Sequence, residues 1–182
     1  APGDPALASA LGRDIDFATD FTWTAGAPLD LRGLRLGGDG YGLAGDISVA
    51  GADGSIDLGI EAEIDVEADD FSRFAGLAGV PLEGRGRVAL AGRAAPVSGA
   101  FDVTVAARTT DLATGIAQLD PLLAGETALD LAAVRDASGI RLSRLNLDGA
   151  GVSLTADGAL ATGAADLDFD LALDDLGRVL PG

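Results

Sequence analysis

Carboxylates are the abundant reactive groups of this chain. Asp and Glu total 29, against 12 Arg and no Lys, for a formal charge of −17. Two carboxyl groups flanking a glycosidic bond can hydrolyse it, one as acid and the other as base or nucleophile. That chemistry needs the pair to converge on a cleft. Here the acids recur at every second position instead. In "SIDLGIEAEIDVEADD" (55–70), Asp57, Glu61, Glu63, Asp65, Glu67 and Asp69 alternate with Ile56, Leu58, Ile60, Ala62, Ile64, Val66 and Ala68. A period of two sets them in a row on one face of a strand, which makes a solvated surface. With no His, a Ser-His-Asp triad and a His-ligated metal are excluded. Without Cys or Lys there is neither a thiolate nucleophile nor a Schiff base. The expectation is a chain that is not an enzyme and carries no metal and no cofactor.

One further stretch touches on ion chemistry. "GGDGYGLAG" (37–45) approaches the calcium-binding β-roll nonapeptide, but Gly42 stands where that motif requires Asp, and the match occurs once. These are turn glycines, and Asp39 and Asp46 need no cation. No phosphate-cradling loop is present. The negative charge argues against a nucleic-acid partner and against docking on an anionic membrane surface, since both need clustered cations. No run of 18 apolar residues exists to span a bilayer as a helix. The opening "APGDPALASALG" shows neither the basic nor the apolar region of a signal peptide, and the start at Ala is expected of an excised or processed piece.

The elements that position these residues are strands. Hydrophobic residues make up 48% of the chain, yet aromatics only 4%. "DIDFATDFTW" places Ile15, Phe17, Phe21 and Trp23 opposite Asp14, Asp16 and Asp20. "RGRVALAG" sets Val88 and Leu90 against Arg85 and Arg87, and "GAFDVTVAAR" aligns Phe101, Val103 and Val105. "ADLDFDLALDD" aligns Leu167, Phe169, Leu171 and Leu173 against Asp166, Asp168 and Asp170. Gly-rich punctuation separates the runs, predicting about ten strands joined by short turns and mostly antiparallel. The 55–70 strand would run roughly 50 Å.

The chain also repeats. "LDLRGLRLGGDGYGLAGDISV" (29–49) lies over "IRLSRLNLDGAGVSLTADGAL" (140–160) at constant offset. Both copies jump in apolar phase mid-strand, between Leu31 and Leu34 and between Leu142 and Leu145, as one extra residue in a β-bulge would cause. Residues 12–79 and 125–182 form the approximate repeat, with a strand-helix module, 80–124, between them and no linker. Short helices are predicted at "LASALG", at 71–79 with Asp70 as N-cap and Gly79 as stop, at 116–124 with Asp120 and Pro121 as cap and first turn, and at "DDLGRVLPG".

Leaving the apolar sides of such strands wet would forgo tens of kcal/mol at ~1.5–3 kcal/mol per side chain. A sandwich, a barrel and a curled trough are the available solutions. The strand length, the few aromatics and the repetition favour a mainly β fold whose long amphipathic, mostly antiparallel strands curl into an open trough, with a few short helices. The expected groove lining is Ile15, Phe17, Phe21, Trp23, Ile56, Leu58, Ile60, Ile64, Val66, Val88, Leu90, Phe101, Val103, Val105, Leu145, Leu147, Val152, Leu154, Leu167, Phe169, Leu171 and Leu173. Its fitting guest is an acyl chain or an unpaired apolar strand. The alternative is a structural or adhesive β-domain closed over a dry core.

"FSRFAGLAGVPLEGRGRVALAG" (71–92), "LGRVLPG" (176–182) and the LxxLxLxGxG stretches at 31–40 and 142–151 resemble the translocation and assembly module inner-membrane component (TamB) family, among the AsmA-like proteins of Gram-negative envelopes. The resemblance implies a periplasmic "β-taco" held in the inner membrane by an N-terminal helix. It also implies outer-membrane protein assembly with an Omp85-type partner, and phospholipid movement between membranes. The family's anchor and its partner-binding ending are not among these residues, so the chain reads as an internal segment.

Overall fold

The computed structural model describes residues 5–51 and 58–174. Ten strands pair in chain order into one antiparallel sheet: β1 (Asp16–Thr22), β2 (Leu29–Gly38), β3 (Tyr41–Gly51), β4 (Leu58–Ala68), β5 (Glu83–Ala95), β6 (Ala100–Ala113), β7 (Glu126–Asp136), β8 (Gly139–Gly149), β9 (Val152–Ala161) and β10 (Ala164–Leu173). Strands β1 and β10 do not pair with each other, so the sheet stays open rather than closing into a barrel. The substantial contacts between strands are all between sheet neighbours. No second sheet packs on the first among the described residues.

At its C-terminal end β4 stops at Ala68, two residues before the alternating run does; the Asp69 N–H still donates to the Gly40 carbonyl at 2.9 Å, and Asp70 caps the turn that follows. Ile56 and the start of the alternating run lie outside the described residues. The 14 residues of β6 come nearest to the expected length, at about 46 Å.

Two bulges stand where the apolar phase shifts. The β2–β3 register breaks between Leu31 and Leu34, and the β8–β9 register between Leu142 and Leu145. In the first, the Gly33 N–H donates to the Asp46 carboxylate at 2.8 Å. Asp46 therefore stabilises an irregular backbone. Strand twist and glycine kinks curl the open sheet. Gly92 (φ +155°) and Gly158 (φ +143°) belong to one cross-strand row. A Cβ at either would lie 2.2 Å from a neighbouring strand's carbonyl oxygen, Asp102 or Asp166 respectively.

The helices gather at one end of the sheet. α1 (Pro5–Leu11) precedes β1, a 3-10 turn (Phe71–Phe74) and α2 (Ala75–Ala78) join β4 to β5, and α3 (Asp120–Leu123) joins β6 to β7. The Asp70 carboxylate caps the 3-10 turn through the Ser72 N–H at 2.8 Å, and Gly79 ends α2 in the left-handed region. Asp120 is not the N-cap its sequence position predicts. It is the first residue of α3, and its carboxylate instead accepts from the N–H groups of Thr114 (2.7 Å) and Gly115 (3.1 Å), closing the preceding loop. The "DDLGRVLPG" helix falls beyond the described residues save for its first Asp.

Gly92→Ala should destabilise the protein by roughly 1–3 kcal/mol, because its Cβ meets backbone that cannot yield. Gly42→Ala, with nothing within 4 Å of the new carbon, should stay within about 0.5 kcal/mol of the parent. Chemical denaturation of the two variants measures the contrast.

Candidate functional site

Residues paired across neighbouring strands point to the same side of a sheet, so the register sorts every strand side chain onto one of two faces. One cross-strand row passes through all ten strands: Phe17, Leu36, Leu43, Val66, Val88, Ala107, Leu129, Leu147, Leu154 and Leu171. The next holds Leu34, Gly45, Ile64, Leu90, Val105, Leu131, Leu145, Ala156 and Phe169. A third holds Phe21, Leu31, Ile47, Ala62, Gly92, Val103, Ala133, Leu142, Gly158 and Leu167. Not one of these positions is charged. Among the described residues the single strand cation on this face is Arg135, in the row of Ile60 and Phe101.

Every expected lining residue that lies within a described strand is on this face, Leu58, Val152 and Leu173 included. Ile15 and Trp23 flank β1, which stops at the Thr22–Asp30 pair, and both are exposed beside the ladder. Ile56 lies outside the described residues. The lining list omitted Leu29, Leu31, Leu34, Leu36, Leu43, Ile47, Val49, Leu129, Leu131, Ile140, Leu142 and Leu160, which share the face. Their signal was present, since several of them carry the internal repeat.

At the helical end the face is roofed. A fourth row, Gly38, Tyr41, Ala68, Gly86, Thr109, Thr127, Gly149, Val152 and Leu173, is built mostly of small or short side chains. Ala68, Thr109, Thr127 and Val152 of this row are buried, as are Ala10, Phe71 and Leu122 of the helical segments. The Leu122 carbonyl of α3 lies so close above Gly149 that a Cβ there would be 3.0 Å away. Thr127 Oγ1 donates to the Leu123 carbonyl at 3.2 Å.

Arg73 and Tyr41 fasten α1 to this roof. Arg73 Nε donates to the Ala10 carbonyl at 3.0 Å, and its Nη1 donates to the Asp39 carbonyl. Tyr41 Oη donates to the Leu11 carbonyl at 3.0 Å. The Ala10 and Leu11 carbonyls are orphans of the α1 C-terminus, and that of Asp39 lies in the β2–β3 turn. The guanidinium also lies 4.5 Å from the Tyr41 ring centroid, and Phe74 meets the ring edge-on at 6.0 Å.

Away from the roof the apolar face grows more exposed toward the sheet edges. On β4, Ile60, Ile64 and Val66 are half-buried, whereas Phe17 on β1 is 65% exposed and Phe169 on β10 is 70% exposed. No large side chain among the described residues is fully buried.

The opposite face is charged and small. Glu61, Glu63, Asp65 and Glu67 of β4 look across to Arg93, Ala91, Ala89 and Arg87 of β5. Arg87–Glu67, Arg93–Asp102 (3.0 Å) and Arg108–Asp130 (3.8 Å) pair in solvent, where each contributes little stability. Shallow depressions of about 580 and 610 Å³ lie on this side, where Ala18, Gly37, Gly42 and Ala44, or Thr110, Ala128 and Ala150, leave room between longer charged neighbours. They bring together carboxylates and guanidinium groups, Glu67 and Arg87 in the first and Arg108, Glu126 and Asp148 in the second. Among the described residues no group of three His, Cys, Asp or Glu side chains is placed to hold a metal ion.

No protein-family model matches this chain, and neither a curated protein nor a solved structure does.

Two consequences of the roof are measurable. Thr109 Oγ1 is buried without a hydrogen-bond partner, which costs about 1–3 kcal/mol. Thr109→Val should therefore raise the unfolding free energy by around 1 kcal/mol in a denaturant titration. The hydrogen bonds from the Ser72 N–H and hydroxyl hold the Asp70 carboxyl below its ordinary 3.8. A lowered folded-state value means stability present above the unfolded value and lost as pH falls through the folded one. Asp70→Ala should lower the Tm at pH 7, with the gap to the parent closing only under strongly acid conditions.

Proposed function

We propose that this chain is a non-enzymatic segment of a periplasmic bridge, whose apolar face takes up hydrocarbon. In this reading phospholipid acyl chains travel along the face between inner and outer membranes, or unpaired outer-membrane β-strands rest on it during assembly. The supporting observation is the apolar row from Phe17 to Leu171, continuous across ten strands and without a second layer over it among the described residues. Monomeric proteins rarely expose contiguous apolar surface on this scale unless something binds there. A dry sandwich core, the alternative use of such strands, calls for a facing sheet.

The sequence resemblance to the TamB and AsmA-like proteins supports the same reading and supplies its setting. On that proposal the whole protein is anchored in the inner membrane of a Gram-negative bacterium and meets an Omp85-type partner at the outer membrane. The carboxylate rows on the other face keep so apolar a sheet soluble and repel anionic surfaces.

Gently purified protein should carry phospholipid detectable by native mass spectrometry. Leu90→Glu and Val103→Glu, each placing a carboxylate in the middle of the face, should cut the bound fraction by about tenfold or more. Ala89→Glu, one position away on the charged face, should leave it unchanged. Folded parent protein that repeatedly emerges free of lipid, and does not bind added acyl probes, would defeat the reading.

A further inference from the structure

The end of β7, in the interior of the sheet, breaks the rule that the rest of the strand obeys. Thr127, Leu129, Leu131 and Ala133 lie on the apolar face, and Ala128, Asp130 and Ala132 on the charged one. Val134 and Arg135 then reverse the residue types. The valine falls on the charged face, opposite Asp102 and Arg141, and the arginine on the apolar face, opposite Phe101 and Ile140. Exchanging the two would complete the alternation. As they stand, they place one guanidinium on a face that is otherwise without strand cations among the described residues.

No carboxylate accounts for that placement. Arg135 takes part in none of the ion pairs among the described residues. The carboxylates nearest in register, Asp102 and Asp136, lie on the opposite face. There Arg93 engages Asp102 at 3.0 Å, and the Ser138 N–H and hydroxyl donate to Asp136. Arg135 is exposed, and its guanidinium lies beside the β5–β6 turn, where a Cβ at Gly99 would be 3.3 Å from Nη1 and 3.6 Å from Cζ. Gly99 precedes Phe101 by two positions, so the charge sits just past the last apolar row of β6 and β7. It marks the rim where this face meets water.

The rim and the roof stand a lipid's length apart. From Arg135 the apolar side of β7 runs through Ala133, Leu131 and Leu129 to Thr127, whose hydroxyl donates to α3. Eight residues of strand span roughly 26 Å. The hydrocarbon of one bilayer leaflet reaches ~15 Å, half of the ~30 Å apolar core. A lipid with its phosphate at the guanidinium therefore lays its chains on the open rows and ends short of the roof. Turned the other way, its phosphate would meet the Leu122 and Leu123 carbonyls, which accept hydrogen bonds and cannot donate them.

We propose that Arg135 binds the phosphate of a glycerophospholipid, holding the headgroup at the rim while the acyl chains lie toward the roof. The planar guanidinium fork matches two phosphate oxygens at once. In a chain of net charge −17, which repels anions in general, one cation beside the apolar rows decides where an anionic headgroup rests. The inference depends on the hydrocarbon-uptake reading and adds to it the class of lipid held and the direction in which it lies.

The test equilibrates the whole protein with detergent micelles holding equal amounts of dioleoylphosphatidylglycerol, dioleoylglycerol and oleate. The lipid retained after repurification is then quantified by mass spectrometry. The parent should prefer the phospholipid to dioleoylglycerol, by a margin that shrinks as salt rises. Arg135→Gln should lower retained phosphatidylglycerol by about tenfold and leave dioleoylglycerol unchanged, and Arg135→Lys should recover part of the loss. The double exchange Val134→Arg with Arg135→Val keeps composition and net charge but moves the guanidinium to the other face, and it should behave like Arg135→Gln. Arg141→Gln, across from Val134 on the charged face, should behave like the parent. Circular dichroism checks that each variant is folded. Equal phosphatidylglycerol in the parent and Arg135→Gln, a parallel fall in dioleoylglycerol, or oleate retained ahead of the phospholipid would each overturn the phosphate assignment and leave hydrocarbon uptake standing. A parent that retains none of the three would defeat both.

Discussion

Side-chain parity is the constraint on which this structure depends. A strand that slips by one residue turns its whole apolar set to the other face. Ten consecutive strands avoid that here, and their large aliphatic side chains, Val134 excepted, share one surface. The two bulges are part of the same solution. Leu31 and Leu34 differ by an odd number of residues, as do Leu142 and Leu145, so a regular strand would send one of each pair into solvent. The extra residue restores both to the apolar side, and Asp46 stabilises the first bulge by accepting from the Gly33 N–H.

A single layer cannot bury its own apolar face, and the molecule resolves this differently along its length. At the helical end a row of Gly, Ala and Thr lets short helices settle onto the sheet, and most of the buried side chains collect there. Over the remaining rows the side chains are larger and no described element covers them. Stability and availability are thus separated in space. The roof, with Arg73 and Tyr41 holding α1, supplies a rigid end, while the open rows keep the surface on which the functional proposal rests.

Much of this was legible in the sequence because it is local. Period-two alternation located the strands, a phase jump located both bulges, and Gly79 marked the end of a helix. What depends on distant partners was not legible. Asp120 has the residue type and position of an N-cap, but the Thr114 and Gly115 N–H groups compete for its carboxylate. The row from Gly38 to Leu173 carries no periodic signature, since its members come from nine strands and matter for what rests on them. Trp23 continues the alternation of β1 in sequence, yet the ladder ends at Thr22 because the next residues turn toward β2. The apolar face was underestimated for a related reason. Leu31, Leu36 and Leu142 were evidence of repetition, and the register was needed to show that they also belong with Val66 and Phe169.

Strand order in the sheet is identical to strand order in the chain. Each hairpin therefore needs only the one before it as a template, and the loops to be closed are short, so the entropic barrier to each addition is low. Assembly can advance like a zipper from the first strand to the last while later residues are still emerging. A chain arriving gradually, one end first, meets a ready ladder at every step and never has to search for a remote partner.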